Sequence, residues 1–97
     1  MSAVTIVKES LPSWGAGDGT VGTSPQKLGD FPVLKSVTVR ANGANTDVIT
    51  IGPTGAQAGS GFILAKGESS PPLYVDDINK VWVVGGAASQ GYSWIAN

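Results

Sequence analysis

Residues 33–52 read VLKSVTVRANGANTDVITIG, and the rhythm of this stretch decides the fold class. In its first half Val33, Val37 and Val39 point one way, while Leu34, Ser36, Thr38 and Arg40 point the other. In its second half Ile49 and Ile51 share one face, with Val48 and Thr50 on the reverse. A period of two is the signature of a strand with one face buried. Between the halves, ANGANT (41–46) carries Asn42-Gly43, a pair that tolerates positive φ and is the commonest signal of a tight hairpin. The expectation is two antiparallel strands.

The same grammar extends outward. GFILA (61–65), PLYV (72–75), NKVWVV (79–84) and YSWIA (92–96) are short and rich in β-branched or aromatic residues. GPTGAQAGSG (52–61), DDIN (76–79) and GGAASQG (85–91) separate them. Turn signals recur every ~8–12 residues, the spacing of a β-sandwich or small barrel. No window sustains a 3.6-residue period, and fourteen glycines with six prolines disfavour long helices. The sequence therefore predicts an all-β domain: a small antiparallel β-sandwich or jelly-roll-like barrel with an extended N-terminal arm. Within GFILAKGESSPPLYVDD (61–77), Gly67 supplies a corner with positive φ, and Pro71-Pro72 lead an extended segment into Leu73–Val75.

At 97 residues the chain is one domain with a modest core. Residues 1–32 are expected to form an N-terminal strand and a Gly/Pro-rich arm, and 33–97 the body. Short strands are expected near Thr20–Thr23 and Gln26–Leu28. GAGDGTVG (15–22) is expected to be a flexible turn. It lacks the preceding buried strand, the Lys-Ser/Thr ending and the following helix that a phosphate-binding loop needs. Trp14, alone in this polar stretch, is expected to be an anchor, docked on its own domain or on a neighbour. MSAVTIVKES lacks a basic start and a long apolar run, so synthesis in a cytoplasm without a secretory signal is expected.

Composition narrows the function. Only 13% of residues are charged, about half the usual share, and the mean hydropathy is slightly positive. Either the surface is dressed in Ser, Thr, Asn and Gly, or partners cover part of it. A net charge of −1 with scattered basic residues argues against nucleic acid, and no run approaches the ~18 apolar residues of a membrane helix. With no cysteine there is no disulfide scaffold, thiolate metal site or thiol nucleophile.

With no histidine either, a serine would need lysine or an unusual base. Gly67-Glu68-Ser69-Ser70 is not a nucleophile elbow, because Pro71 and Pro72 stand where its helix would begin. Asp76, Asp77 and Asn79 lack EF-hand spacing and are expected to be turn formers. Folding could bring Glu9, Asp30 or Asp47 together as glycosidase carboxylates whatever their spacing, but nothing in the sequence favours that pairing. No enzyme activity and no cofactor is expected. Trp82, Tyr92 and Trp94 fall in the last two strands, which are expected to pair through GGAASQG and bring Trp82 near Trp94. The three serve either the core or an exposed aromatic platform.

In order, the phrases VLKSVTVRANGANTDVITIG, GFILAKGES, VDDINKVWV and the final aromatic-x-aromatic strand YSW resemble small β-domains of tailed-bacteriophage virion proteins, especially capsid decoration (cement) proteins and head-fibre bases. The resemblance covers about 65 of the 97 residues. It implies a structural role: a protein that binds the outside of an icosahedral capsid, contacts the major capsid protein, commonly acts as a homotrimer and resides on the virion surface. Candidate contact residues are Leu11, Trp14 and Phe31 on the arm, and Trp82, Tyr92 and Trp94. The alternative is a head- or tail-fibre module that recognises host surface glycans.

Overall fold

The computed structural model describes residues 14–97; Leu11 and Glu9 lie outside the described residues. Seven strands follow one another: β1 (Gly15–Val21), β2 (Gln26–Lys27), β3 (Val37–Ala41), β4 (Ile49–Gly52), β5 (Phe62–Leu64), β6 (Trp82–Gly85) and β7 (Gln90–Ala96). Two 3₁₀ turns, Gly55–Ser60 and Ile78–Lys80, are the only helical pieces among the described residues. The strands form two antiparallel sheets, a three-stranded one ordered β1-β7-β3 and a four-stranded one ordered β2-β6-β4-β5. The expectation of an all-β domain holds.

Alternation fills the space between the sheets. Val33, Val37, Val39 and Ala41 are buried, as are Ile49 and Ile51, and Val81, Val83, Leu64 and Ile78 join them in one cluster. Each such side chain removed from water contributes roughly 1.5–3 kcal/mol before entropy is charged against it. Thr38 and Arg40 face away from the core, as the rhythm predicts.

The pairing differs from expectation. β3 and β4 lie in different sheets, so Asn42-Gly43 closes no hairpin. Neither residue has a positive φ; among the described residues only Gly29, Gly67 and Ser89 do. Instead Asn42 Oδ1 accepts from the Ala44 N–H (2.9 Å), and the Asn42 carbonyl accepts from the Asn45 N–H (3.2 Å). The loop is then tied to the start of β7. Asn45 Nδ2 donates to the Gly91 carbonyl and Asn45 Oδ1 accepts from the Gly91 N–H, at 2.9 and 2.7 Å. Gln90, 1% exposed, takes the Thr46 and Asp47 N–H groups on its Oε1 at 3.0 and 2.9 Å. Its Nε2 donates to Thr46 Oγ1 and the Ala88 carbonyl. A strand-to-strand crossover has replaced the turn.

GAGDGTVG is likewise not a flexible turn. Its first seven residues are β1, paired with β7 from Gly15↔Ala96 to Val21↔Gln90. Gly15, Gly17 and Gly19 face inward, where the rings of Phe31, Trp94 and Tyr92 lie against them. The segment 61–77 crosses between sheets. It begins as β5, turns at Gly67 (φ +80°), and then runs along the outer edge of β3. There Val37 and Leu73 exchange backbone hydrogen bonds at 2.9 and 2.8 Å, and the Ser70 N–H donates to the Val39 carbonyl. Ser70 Oγ, buried, accepts from the Val39 N–H at 3.0 Å. The Gly-to-Pro corner is present, but its second half is an edge of isolated bridges rather than a strand.

Candidate functional site

No catalytic constellation assembles among the described residues. Asp77 Oδ1 accepts from the Phe31 and Asn79 N–H groups at 3.1 and 3.0 Å and caps the Ile78–Lys80 turn. Asn79 Nδ2 donates to Asp30 Oδ1 at 3.2 Å. Asp76 pairs with Lys80 at 2.9 Å. That hydrogen bond and the opposite charge hold the Asp76 carboxyl below its ordinary value and the Lys80 ammonium above its own. Asp76, Asp77 and Asn79 are therefore turn-forming groups. No three His, Cys, Asp or Glu side chains gather around a point where a metal ion would sit, among the described residues.

Glu68 Oε1 accepts from the Ala65 N–H at 2.7 Å and so closes the corner at Gly67. Ser24 and Lys27 have the spacing of a serine–lysine pair. However, Ser24 lies in a bend and Lys27 in a strand, with Lys27 Nζ 5.9 Å from the centre of the Trp82 ring. A helical turn would be needed to stack such a pair. No described helix is long and apolar enough to cross a membrane.

The expected contact residues do not form one surface. Tyr92 is buried (5% exposed), and its hydroxyl accepts from Gln26 Nε2 and donates to the Leu28 carbonyl. Trp94 is half-buried, and its ring centre lies 5.4 Å from that of Phe31. Trp82 lies in the other sheet, so β6 and β7 do not pair, and it packs by Gly55 and under Lys27. Trp14 is not docked on its own domain but stands 63% exposed.

Sequence reasoning missed three surface features. The first is an apolar cleft of ≈ 330 Å³ at the open side of the sandwich, walled by Ile51, Phe62, Leu73, Val75 and Val81, with Lys80 at its rim. Phe62 is half-exposed beside it, Ile63 faces outward from β5, and Tyr74 is 77% exposed. Among the described residues β5 is an edge strand, and its outer backbone groups have no described strand beside them. The second is a groove of ≈ 500 Å³ on the outer face of the three-stranded sheet, reaching Asp18, Thr38, Arg40, Ser69, Ser93 and Ile95. The third, of ≈ 370 Å³, continues along that face between Trp14, Ser36, Thr38 and Ile95. The first had a signal in GFIL, where consecutive bulky residues occupy both faces of a short strand. The other two depend on which strands are neighbours, which no single segment encodes.

The sequence matches no protein-family model and no curated protein. Among solved structures, the chain is similar to PirA, with 16% identity and a TM-score of 0.41 over 84% of this chain and 91% of that one.

Proposed function

We propose that this protein is a structural component of a tailed-bacteriophage virion that binds the outside of the icosahedral capsid and stabilises it. Its partner is the major capsid protein, and it acts as a homotrimer. The observation that carries this reading is the exposed apolar surface of β5 and the segment 73–75: Phe62, Leu73 and Val75 wall the cleft, and Ile63 and Tyr74, which do not line it, also meet solvent. On a chain with 13% charged residues such a surface favours burial against a partner. Asn45, Ser70, Asp77 and Gln90 cross-link separate segments, as expected of a rigid building block. The order of the strand phrases adds the virion context.

The test is co-sedimentation of the purified protein with undecorated capsids. The wild type should pellet with the shells. The double variant Ile63→Lys/Tyr74→Ala should stay in the supernatant while keeping its far-ultraviolet circular dichroism. Failure of the wild type to pellet, or pelleting of the variant to the same extent, overturns the reading.

A further inference from the structure

We propose that the outer face of the three-stranded sheet is a carbohydrate-binding groove that takes a short neutral oligosaccharide. The inference rests on this face alone and stands independently of the virion reading.

Alternation along β1 sends Trp14, Ala16, Asp18 and Thr20 outward, opposite to the glycines that receive the aromatic rings. Register then sets two cross-strand rows. Asp18 lies opposite Ser93, Ser93 opposite Arg40, and Arg40 is bridged to Ser69. One pair further along, Ala16 lies opposite Ile95 and Ile95 opposite Thr38. With strands ~4.8 Å apart, the Asp18 and Arg40 backbones stand roughly 10 Å from each other across β7. The two concavities on this face share Thr38 and Ile95, so they run end to end from Trp14 to the Asp18–Arg40 row. Four residues of β1 separate these ends, about 13 Å.

A polar outer face is ordinary for an antiparallel sheet. This one gathers exposed polar side chains from four segments into one concavity. Asn45, Ser70, Asp77 and Gln90 all bond protein groups. The side chains of Asp18, Thr38, Arg40, Ser69 and Ser93 make no hydrogen bond, and Asp18 and Arg40 no ion pair, to any described residue. Aspartate accepts only, arginine donates only, and the hydroxyls do both. Such a set suits a ligand whose every polar group is both donor and acceptor, as sugar hydroxyls are. Along the middle of the groove the β7 backbone is paired on both sides, so an extended peptide lying on this face would find no ladder to join there. Trp14 offers a flat apolar ring for the C–H face of a pyranose, and Ile95 an apolar floor. With Asp18 and Arg40 both on the groove, a carboxylated sugar would gain at one and lose at the other, which favours a neutral ligand.

The experiment titrates the isotopically labelled full chain with maltotriose, cellotriose and chitotriose, and with sialyllactose as the acidic comparison. Amide shifts are followed by nuclear magnetic resonance. At least one neutral trisaccharide should shift Thr38, Ser93 and Ile95 together with the Trp14 indole in the millimolar range. Trp14→Ala and Asp18→Asn should each weaken binding about ten-fold with unchanged thermal midpoints. No shift from any neutral trisaccharide overturns the proposal. So does a preference for sialyllactose, or a shifted cluster centred on Trp82.

Discussion

Gly17 shows how much a missing side chain can specify. A Cβ there would lie 2.7 Å from Trp94 Cζ2, closer than such atoms approach, and Gly15 and Gly19 are equally occupied by Phe31 and Tyr92. Gly17→Val should therefore destabilise the domain by about 1–3 kcal/mol, read as a shifted urea midpoint with unchanged slope. An unchanged midpoint would mean that Trp94 has room to move. Gln90 is the polar counterpart: its side chain takes two backbone N–H groups that have no strand partner. Gln90→Ala should cost about 1–3 kcal/mol, because those part-buried donors lose their acceptor and the buried side chain leaves its site empty. At this scale the sequence was only half legible. Val37, Val39, Ile49 and Ile51 declared themselves by alternation. Gly-Ala-Gly-Asp-Gly-Thr alternates as well, but between residues that lack a Cβ and residues that have one, so a hydrophobicity pattern does not register it. Trp94 and Tyr92 became readable as inward residues only once the glycines opposite them were known.

Among the elements, the short strands were legible and their partners were not. Strands β1 to β4 alternate between sheets, β4, β5 and β6 stay in one sheet, and β4–β5 is the one consecutive pair that shares a ladder among the described residues. Asn42-Gly43 has hairpin chemistry, yet Asn45 and Gln90 provide a competing set of bonds to the head of β7 that a local reading does not contain. The Asp76–Ile78 corner is the element most open to test. Asp77 holds both the Ile78–Lys80 turn and the Phe31 backbone, so Asp77→Ala should lower stability by about 1–2 kcal/mol. Asp77→Asn should recover part of the loss, since its carbonyl oxygen still accepts. Equal loss in both variants would assign the effect to charge instead. The surface groove belongs to this scale too: Asp18, Ser93 and Arg40 come from three segments, and only register puts them in one row.

For the whole molecule, stability should depend little on pH across the neutral range. The chain has neither histidine nor cysteine. The exposed Asp76–Lys80 pair is formed between the acidic and alkaline limits. Asp76 titrates below its unfolded value of 3.8, so its small contribution is present above that value and is lost as pH falls through the folded pKa. Lys80 titrates above 10.5, and its share is present below that value and lost as pH rises through the folded pKa. Thermal midpoints should be nearly flat from about pH 5 to about pH 8 and decline under acid; a step near pH 6.5 would contradict this. Truncation gives a sharper check. A chain beginning at residue 25 would lack β1 and leave Trp94, Tyr92 and one edge of β7 uncovered. It should be unfolded by circular dichroism, and a native-like spectrum would show that β1 is dispensable.

Gly15 faces Ala96, so the described chain enters and leaves the domain side by side. Tension applied through the two ends would load the β1–β7 rungs singly, from Gly15 inward, and unzip them at low force rather than shear them together. Close ends also permit rewiring. A short linker from Asn97 to Trp14, with new ends opened at the Gly67 corner, should give a circular permutant with the same sheets. Anything joined at Trp14 or Asn97 would emerge from one corner of the described domain.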